Sequence, residues 1–564
     1  TVTGGNVALG DGTGKLSNYD VTVTRDGELR YSSIIDLQVT VTSSGQAITV
    51  NRYFDTDDVI VQWNDTGVEG SNDETPLAAA KTHTFAQPGT YTVRLVSRVH
   101  ANPYLPSPSG CGAPLVPSGG TTVSAVHVTR FPPTTDFTSA DNAGANKSGA
   151  NMLCGFNNAG AILDFTVPVD TSWIATAGNN FFLNFNKGGK LTALAADSLN
   201  TSNVAGTVGS YFFASFNENG ALAQLPAGSL DTSKITAING NGLFFAYFNK
   251  GGQLTSLPEG SFVLDGIASH PQGSFYEFNM NGALTQLPAG SFHLQSTTAA
   301  GTLFCYEFNR GGALTSLPTG SFDISNISSI GTGFFGHFNS SGALTQLPTG
   351  SFRLNTTVSA APNGFFSNFN NTGKLTSLPA GSFDISNITT TGLDFFRQFN
   401  EHGALTSLPA GSFNTSKITT VNNWVFAEFN DDGKLTQLPA GSFGFESLTS
   451  VGTYFLWGFN LNGMLTSIPA NSFNLSKITT VGDNFISYFN SGGRITSATS
   501  FRFPKLTTAQ SGERSFENSF YSTYTLTSPS AMSTIVNGCA QPSTRRGTFT
   551  SNQPGYSALD PNWK

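Results

Sequence analysis

The sequence predicts a mainly β fold in which an N-terminal β-sandwich is followed by a solenoid of short repeats. A cassette recurs about every 30 residues through more than half of the 564-residue chain, which is typical of stacked-repeat proteins. The chain also contains 48 phenylalanines, many of them at fixed cassette positions. The first 130 residues lack the cassette and alternate apolar residues with Thr, which is the pattern of half-buried strands.

Changes in sequence pattern divide the chain into four parts. We predict a β-sandwich with an N-terminal extension over residues 1–130, and a junction with the N-terminal solenoid cap over residues 131–180. The repeat solenoid follows over residues 181–499. Because the cassette register fails after Ile495, residues 500–564 are predicted to form a C-terminal cap and an extended tail.

Each cassette is centred on a Phe-Asn pair, and the asparagines are spaced 30 to 32 residues apart. Three residues later comes glycine, from Gly160 to Gly493, which predicts a positive φ or a close backbone approach. We expect the asparagine side chains to bond the adjoining turn and form a structural ladder. A degenerate copy at Asn157 and the copy at Asn186 precede its main positions, which are Asn217, Asn249, Asn279, Asn309, Asn339, Asn370, Asn400, Asn430, Asn460 and Asn490.

The rest of the cassette predicts a strand and an apolar anchor. The phrase L-T-x-L-P, for example at residues 405–409, predicts a short strand that ends at proline, because proline cannot donate the next ladder hydrogen bond. Gly-Ser-Phe then turns the chain and places a ring in the core. Each buried ring contributes about 1.5–3 kcal/mol, and only stacked neighbours can bury so many rings, so the repeats stabilise one another.

Two phrases carry a family resemblance: FDISNITT, starting at Phe383, and LDTSKITA, starting at Leu230. Together with the aromatic pair, the polar Asn, L-x-x-L and Pro, they resemble the BspA-like leucine-rich repeats of bacterial surface proteins. The resemblance covers residues 150–500, with a longer period than the family's and mostly Asn or Phe at its Cys or Ala positions. It implies a secreted or surface-exposed protein used in adhesion, matrix or envelope structure, and no catalytic residues.

The N-terminal part resembles the polycystic-kidney-disease type of immunoglobulin-like domain. The phrases that carry this resemblance are VIVQWNDTG, starting at Val59, and THTFAQPGTYTVRL, starting at Thr82. The second phrase matches the family pattern at His83, Phe85, Pro88, Gly89, Tyr91 and Val93, whereas Asn64, Asp65 and Thr66 stand where the family has a Gly-Asp-Gly turn. The resemblance implies a spacer or binding module beside the repeats.

Acidic residues near that turn are the candidate metal ligands. Carboxylates at this spacing could bind Ca²⁺, although no EF-hand spacing is present; the alternative is a solvated acidic loop. These weak Ca²⁺ candidates are Asp55, Asp57, Asp58 and Asp65. No other cofactor is predicted.

Cysteine usage and composition indicate an exported protein. Cys111 and Cys154 could form a disulfide across the domain junction, which is typical of oxidising compartments. Cys305 replaces a repeat phenylalanine and is expected to be a buried thiol, and Cys539 has no evident partner. The chain begins with Thr1 and has no apolar stretch of about 18 residues. We expect a secreted, extracellular or cell-surface location without membrane insertion, and the net charge of −8 offers no basic face for nucleic acid.

N-glycosylation is a further possibility, because N-x-S/T recurs along the chain, although many matches would arise by chance in a sequence so rich in Asn, Ser and Thr. The main candidates are Asn64, Asn200, Asn326, Asn387, Asn414 and Asn474, with further matches at Asn146, Asn339, Asn355 and Asn370.

An enzyme is not expected. The sequence lacks the H-E-x-x-H, G-x-S-x-G and phosphate-loop motifs, and the cassettes carry no acid at a recurring position. We expect each histidine to occupy a strand or a variable, exposed cassette position. The histidines are His83, His100, His127, His270, His293, His337 and His402.

Three non-catalytic functions remain open. The first is a structural subunit that self-associates into a filament or surface layer, with residues 1–24 as a donor strand for a neighbour or as an edge strand of their own sandwich. The second is an adhesin that binds a glycan or another cell-surface ligand. Its variable residues should then cluster on one face, whereas in the sequence they look scattered: Lys190, Glu259, Arg310, His337, Arg397, Trp424 and Trp457.

The third function rests on threonines that follow the first Leu of each L-T-x-L-P phrase. Stacking would align them into a flat column able to bind ice or sugar or to carry O-glycans. The alternative is that Thr is simply a good strand former. The column comprises Thr192, Thr255, Thr285, Thr315, Thr345, Thr376, Thr406, Thr436, Thr466 and Thr496.

Overall fold

The computed structural model describes most of the chain, and the fold is mainly β. The described residues are 21–23, 29–31, 34–53, 59–65, 74–97, 111–117, 123–132, 149–240, 242–496, 501–502, 514–523, 548–554, 556–559 and 563. No α-helix occurs among them, and Tyr556–Ala558 form a short 3-10 helix. The chain divides into two compact units: Thr1–Ile235 with Tyr247–Ser261, and Thr236–Ala246 with Phe262–Lys564.

The first unit begins with strands that form a hairpin and two larger sheets. The strand bounds are β1 Val21–Val23, β2 Leu29–Tyr31, β3 Ile34–Val41, β4 Ala47–Val50, β5 Val59–Gln62, β6 Glu74–Pro76, β7 Lys81–Thr84, β8 Gly89–Ser97, β9 Leu115–Pro117, β10 Ala125–Arg130 and β11 Ile162–Phe165. β1 and β2 pair antiparallel. The six-stranded sheet has the order β11-β10-β3-β8-β5-β6, and the three-stranded sheet has the order β7-β4-β9.

Alternation in the sequence decides which side chains of these strands are buried. In β3, Leu37 and Val39 point into the core, 1% and 0% exposed, while Gln38 between them is exposed. The Asp36 carboxylate of the same strand accepts a hydrogen bond of 2.7 Å from Arg94 Nε of β8. A period-2 pattern therefore gives strands with one buried face, as predicted.

Residues of both N-terminal phrases meet in one aromatic cluster. Trp63 stacks on His83 at 4.6 Å between ring centroids, His83 contacts the edge of Phe85 at 4.9 Å, and Phe85 stacks on Tyr91 at 4.8 Å. His83 Nε2 also lies 2.7 Å from Asp65 Oδ2. Because Trp63 follows β5 while His83 lies in β7, this cluster joins the two sheets.

Both units contain stacked repeat turns held by backbone hydrogen bonds between equivalent residues. In the second unit the Phe275, Glu277 and Asn279 N–H groups donate to carbonyls about one cassette later, at 2.8 to 2.9 Å. Every fourth residue of this segment adopts a left-handed φ, for example 51° at Glu277 and 52° at Asn281. Alternate N–H groups therefore point along the stack, and turns rather than long strands build the solenoid.

The strands of the solenoid lie elsewhere than the sequence predicts. Their bounds are β12 Gly206–Val208, β13 Ile235–Ile238, β14 Ser269–His270, β15 Ala299–Ala300, β16 Ser329–Ile330, β17 Ala360–Ala361, β18 Thr390–Thr391, β19 Ser450–Val451 and β20 Thr480–Val481. The prediction that L-T-x-L-P is a strand is wrong: in the described repeats this phrase contributes a single ladder bond, such as Thr315 N–H to the Thr285 carbonyl at 3.1 Å. The strands follow the later I-T segment, where successive N–H groups are free to pair.

Phenylalanine rings form the core as columns of stacked rings. In the second unit the Gly-Ser-Phe rings, from Phe262 to Phe473, stack with centroids 5.1 to 6.0 Å apart. The Phe-Asn rings, from Phe278 to Phe489, form a parallel column at 5.0 to 5.5 Å. All of these rings are 0% exposed. The phenylalanines of Gly-Ser-Phe adopt a left-handed backbone conformation, with φ near 55°. This conformation costs about 1–2 kcal/mol per residue.

In each unit one end of the repeat stack is covered. In the first, the disulfide between Cys111 and Cys154 fixes the chain against the first turn, and β11 pairs in parallel with β10. In the second, Thr523 Oγ1 accepts a hydrogen bond of 3.2 Å from Asn490 Nδ2. Gln553 Nε2 then donates to the carbonyls of Phe520 and Thr523 at 2.9 and 3.1 Å. These contacts satisfy hydrogen-bonding groups at the end of the stack that would otherwise need a further turn as their partner.

Candidate functional site

The asparagines of the cassette form a buried ladder in both units. In the first unit Asn157, Asn186 and Asn217 each donate from Nδ2 to the Oδ1 of the next asparagine, at 2.8 to 3.1 Å. From Asn279 to Asn490 the same bond recurs at 2.6 to 3.2 Å. All are 0% exposed. These residues are thus sealed in the core and are not available to a ligand.

The glycine three residues after each asparagine is required by a close approach. A Cβ at Gly342 would lie 2.3 Å from Asn339 Oδ1 and 2.5 Å from the Asn309 carbonyl. The left-handed φ belongs instead to the preceding residue, as at Ser341 with 54°. Of the two explanations that the sequence leaves open, the structure therefore selects close packing against the asparagine ladder.

Two hydroxyl columns also follow the stack. The exposed threonines after the first Leu bond the carbonyl of the preceding threonine, as Thr406 Oγ1 does to Thr376 at 3.3 Å. Because this uses the hydroxyl proton, it favours a structural role for the column. A second column, which the sequence analysis missed, is the buried serine of Gly-Ser-Phe: Ser351 Oγ donates to the Ser321 carbonyl at 2.7 Å, and Ser382 Oγ to Ser351 at 2.6 Å.

Only some of the other predicted cysteine and calcium positions lie among the described residues. Cys305 is a buried free thiol whose pKa burial raises, and Cys539 lies outside the described residues. Among the weak Ca²⁺ candidates only Asp65 is described, and it pairs with His83; Asp55, Asp57 and Asp58 lie outside the described residues. The donor segment 1–24 is described only at β1.

The N-x-S/T matches have a local structural cause at several sites. Asn200, Asn414 and Asn474 accept a hydrogen bond at Oδ1 from the N–H of the serine two residues later, at 2.9 to 3.4 Å. Such Asx turns require only an Asn or Asp side chain that accepts a hydrogen bond from the backbone N–H two residues later, which gives these asparagines a structural role. Asn64, Asn326 and Asn387 are at least partly exposed. Asn339 and Asn370 belong to the buried ladder and are not accessible to a transferase in the folded chain.

His270 lies in strand β14, but it departs from the expectation that the histidines of strands and variable cassette positions are surface residues. His270 is 1% exposed, lies 5.1 Å from the Phe304 ring centroid, and has no hydrogen-bond partner at either ring nitrogen. Burial lowers its pKa to about 3. His270 is therefore a neutral ring in the core.

Variable cassette positions of the second unit form one surface, which we call the variable face. In each cassette it takes side chains from three places: just before the aromatic pair, between that pair and the Phe-Asn pair, and just after the asparagine. The face extends along the chain from Tyr276 to Tyr488. Five of the seven variable residues lie on it: Arg310, His337, Arg397, Trp424 and Trp457. Lys190 and Glu259 are exposed residues of the first unit, at other cassette positions.

Aromatic and cationic side chains stack at the centre of the variable face. The Arg397 guanidinium lies over the Trp424 ring at 4.3 Å, and Tyr454 stacks on that ring at 3.8 Å with an interplanar angle of 8°. Trp457 stands nearly perpendicular to both rings, with centroids 5.9 Å away. All four side chains are half-buried. Such mutual packing holds the aromatic edges in fixed positions, which lowers the entropy cost of binding a ligand.

Acidic side chains lie directly beside this stack, and we call Glu401, Glu428 and Asp431 the carboxylate cluster. One carboxylate oxygen of each lies within 4.8 Å of the other two. Arg397 Nε donates to Glu428 Oε2 at 3.3 Å and so connects the cluster to Trp424. Burial, followed by the charges of Asp432, Glu401 and Glu428, raises the pKa of Asp431 to about 7.

The face continues through earlier cassettes with similar chemistry. Tyr306 packs against Tyr276 at 5.9 Å and against the edge of His337 at 5.3 Å. Arg310 Nη1 pairs with Glu307 at 3.1 Å. Burial and then the charges of Arg310 and Arg397 lower the pKa of His337 to about 4, so its ring is neutral at physiological pH. Aromatic rings with adjacent carboxylates and guanidinium groups therefore recur along the surface.

The sequence indicates part of this face, although its variable residues look scattered along the chain. Residues that look scattered along the chain meet because each lies about one cassette from its partner: Arg397 and Glu428 are 31 residues apart, and Asn371 and Glu401 are 30 apart. Comparing aligned cassettes column by column would have revealed these pairs. Tyr454, Glu401, Glu428 and Asp431 were not named at all.

Comparison with models of known protein families and with curated proteins finds no match to this sequence. Among the described residues, no helix is long and apolar enough to cross a membrane.

Proposed function

We propose that the chain is a non-catalytic extracellular binding protein of the adhesin type, which engages glycans through the variable face. The observation that carries this proposal is the clustering of Arg397, Trp424 and Trp457 with Tyr454 and the carboxylates. A scaffold requires only its buried columns, and it has no need of aromatic and charged side chains at positions that vary between cassettes.

The chemistry of the face suits a polar, ring-shaped ligand such as a sugar. Aromatic side chains offer apolar surface with a polar tip, which is why they are enriched at interfaces. Carboxylates accept hydrogen bonds from hydroxyl groups, and a guanidinium supplies donors in a fixed geometry. Since stacked neighbours already hold Trp424 and Tyr454 in place, little side-chain freedom remains to be lost on binding.

The test is binding of the purified chain to a glycan array, followed by calorimetry with any sugar that is retained. Trp457→Ala and Trp424→Ala should each weaken binding at least about tenfold. Tyr211→Ala is the matched control, because Tyr211 occupies the same cassette position as Trp424, is 40% exposed, and belongs to the first unit. Absence of any retained glycan, or equal losses in all three variants, would contradict the proposal.

Self-association into a filament or surface layer remains a prediction. Asn490, the last asparagine of the ladder, already donates a hydrogen bond to Thr523. Growth of a polymer would therefore have to use other surfaces. Electron microscopy of secreted material, with light scattering of the purified chain, tests this function independently. Ordered assemblies with a fixed subunit repeat would favour it, and particles of one chain's mass would argue against it.

A further inference from the structure

The carboxylate cluster is built by two neighbouring turns of the second unit. Glu401 and Asp431 each follow a ladder asparagine directly and are 30 residues apart, so stacking places one above the other. Glu428 comes from the same turn as Asp431. Oxygens of all three converge within 4.8 Å, and none of the three side chains is fully exposed.

Burial makes this convergence costly for the chain alone. Asp431 is 8% exposed and Glu428 is 9% exposed. Asp431 Oδ1 is inaccessible to solvent and has no hydrogen-bond partner, although buried carboxylates normally have one. Asp431 therefore has a buried oxygen whose hydrogen-bonding capacity no described group of the protein meets.

The surrounding polar groups hold the carboxylates without neutralising them. Asn371 Nδ2 donates to Glu401 Oε2 at 2.5 Å, and Arg397 Nε donates to Glu428 Oε2 at 3.3 Å. His402 Nε2 lies 4.0 Å from Glu401 Oε1, and its other ring nitrogen lies 3.8 Å from Asp432. Arg397 is shared with Asp394 at 3.8 Å. One guanidinium therefore faces several carboxylates, and a negative excess remains at the cluster.

We propose that the carboxylate cluster binds a single Ca²⁺ ion. Three carboxylates and no nitrogen or sulfur ligand constitute a donor set for a hard cation. The three oxygens lie within 4.8 Å of one another, close enough for one Ca²⁺ ion to contact all three at its usual Ca–O distances of about 2.3–2.6 Å. Asn371 and Arg397 orient Glu401 and Glu428 through hydrogen bonds to their Oε2 atoms, which is how outer partners support metal sites. The inference does not depend on glycan binding.

The experiment is calorimetric titration of the chelator-treated full chain with CaCl₂, paired with thermal melts. The wild type should bind about one ion with a dissociation constant in or below the range of about 0.1–1 mM that is typical of extracellular calcium modules, and its melting temperature should rise with Ca²⁺. Asp431→Asn should abolish both effects. Asn371→Ala, which acts through Glu401, should weaken binding about 10–100-fold.

Asp432→Asn is the matched control, since it makes the same charge change one residue away on a side chain that is 45% exposed. Because the charge of Asp432 acts on Asp431 but Asp432 is not one of the three converging carboxylates, the affinity of this variant for Ca²⁺ should fall far less than that of Asp431→Asn. Asp431→Asn should remain folded, because it removes a buried charge, and its melting temperature in chelator should be no lower than that of the wild type. Absence of binding by the wild type, or equal losses in Asp431→Asn and Asp432→Asn, would overturn the proposal. Ca²⁺ binding that persists in Trp457→Ala would separate this site from the glycan proposal.

Discussion

Replacing a ladder asparagine by alanine should destabilise the solenoid far more than its single side chain suggests. Asn370 is 0% exposed, and its side chain makes four hydrogen bonds. Its amide donates to the Leu375 carbonyl at 3.3 Å and to Asn400 Oδ1 at 3.1 Å. Its Oδ1 accepts from Leu375 N and Asn339 Nδ2, both at 3.2 Å.

Asn370→Ala leaves the N–H and C=O groups of Leu375 buried without a partner, whereas Asn400 Oδ1 and Asn339 Nδ2 keep their bonds to Leu405 N and to the Leu344 carbonyl. At about 1–3 kcal/mol for each of the two orphaned groups, the free energy of unfolding should fall by about 2–6 kcal/mol. Asn370→Asp keeps the size of the side chain but loses both N–H donors and adds a buried charge, so it should be at least as harmful. Asn326→Ala is the control, because Asn326 is exposed and makes one bond, to the Gln295 carbonyl at 2.7 Å.

Thermal melts and hydrogen exchange would measure the effect. Protection should be lost first in peptides covering residues 365–405, since neighbouring turns bond directly to this position and repeat stability is set by nearest neighbours. If Asn370→Ala and Asn326→Ala melted alike and exchanged alike, the asparagine ladder would not be a source of stability, and the reasoning would fail.

Three further predictions follow from other parts of the core. Phe396, which stacks between Phe366 and Phe426 at 5.4 and 6.0 Å, should cost about 3–5 kcal/mol on change to Ala, and an unchanged melting curve would disprove its core role. Cys154→Ser opens a disulfide that spans 43 residues, so unfolding of the first unit should become easier by about 4 kcal/mol; reduction of the wild type should reproduce this loss. The pKa of His270 is about 3 in the fold against 6.5 in the unfolded chain, so the unfolded state binds the proton first, and stability should fall by up to about 1.4 kcal/mol per pH unit as pH drops below 6.5 toward 3. His270→Leu should remove that part of the acid sensitivity in melts compared across pH, and an identical pH dependence of the two chains would refute the assignment.

The sequence by itself determined the repeat, the ladder and the aromatic core. Each of these depends on residues that recur at one fixed spacing, so every copy meets its own equivalent in the next turn. The repeat period therefore predicts a ladder at Asn370, a turn or close approach at Gly373 and a core position for the Gly-Ser-Phe ring. The buried thiol at Cys305 follows from the same argument, because it occupies a phenylalanine position.

Only the tertiary structure decided what the non-repeating residues do. The repeat period predicts that Glu401 and Asp431 occupy equivalent positions in neighbouring turns. It does not predict that the Glu428 carboxylate lies close to both, or that Asp431 Oδ1 has no hydrogen-bond partner. Nor does it show that the strands lie after the I-T segment, because this depends on which N–H groups the left-handed residues direct along the stack. Side-chain direction and burial arise from packing between turns about 30 residues apart, and a pattern within one cassette carries no information about that packing.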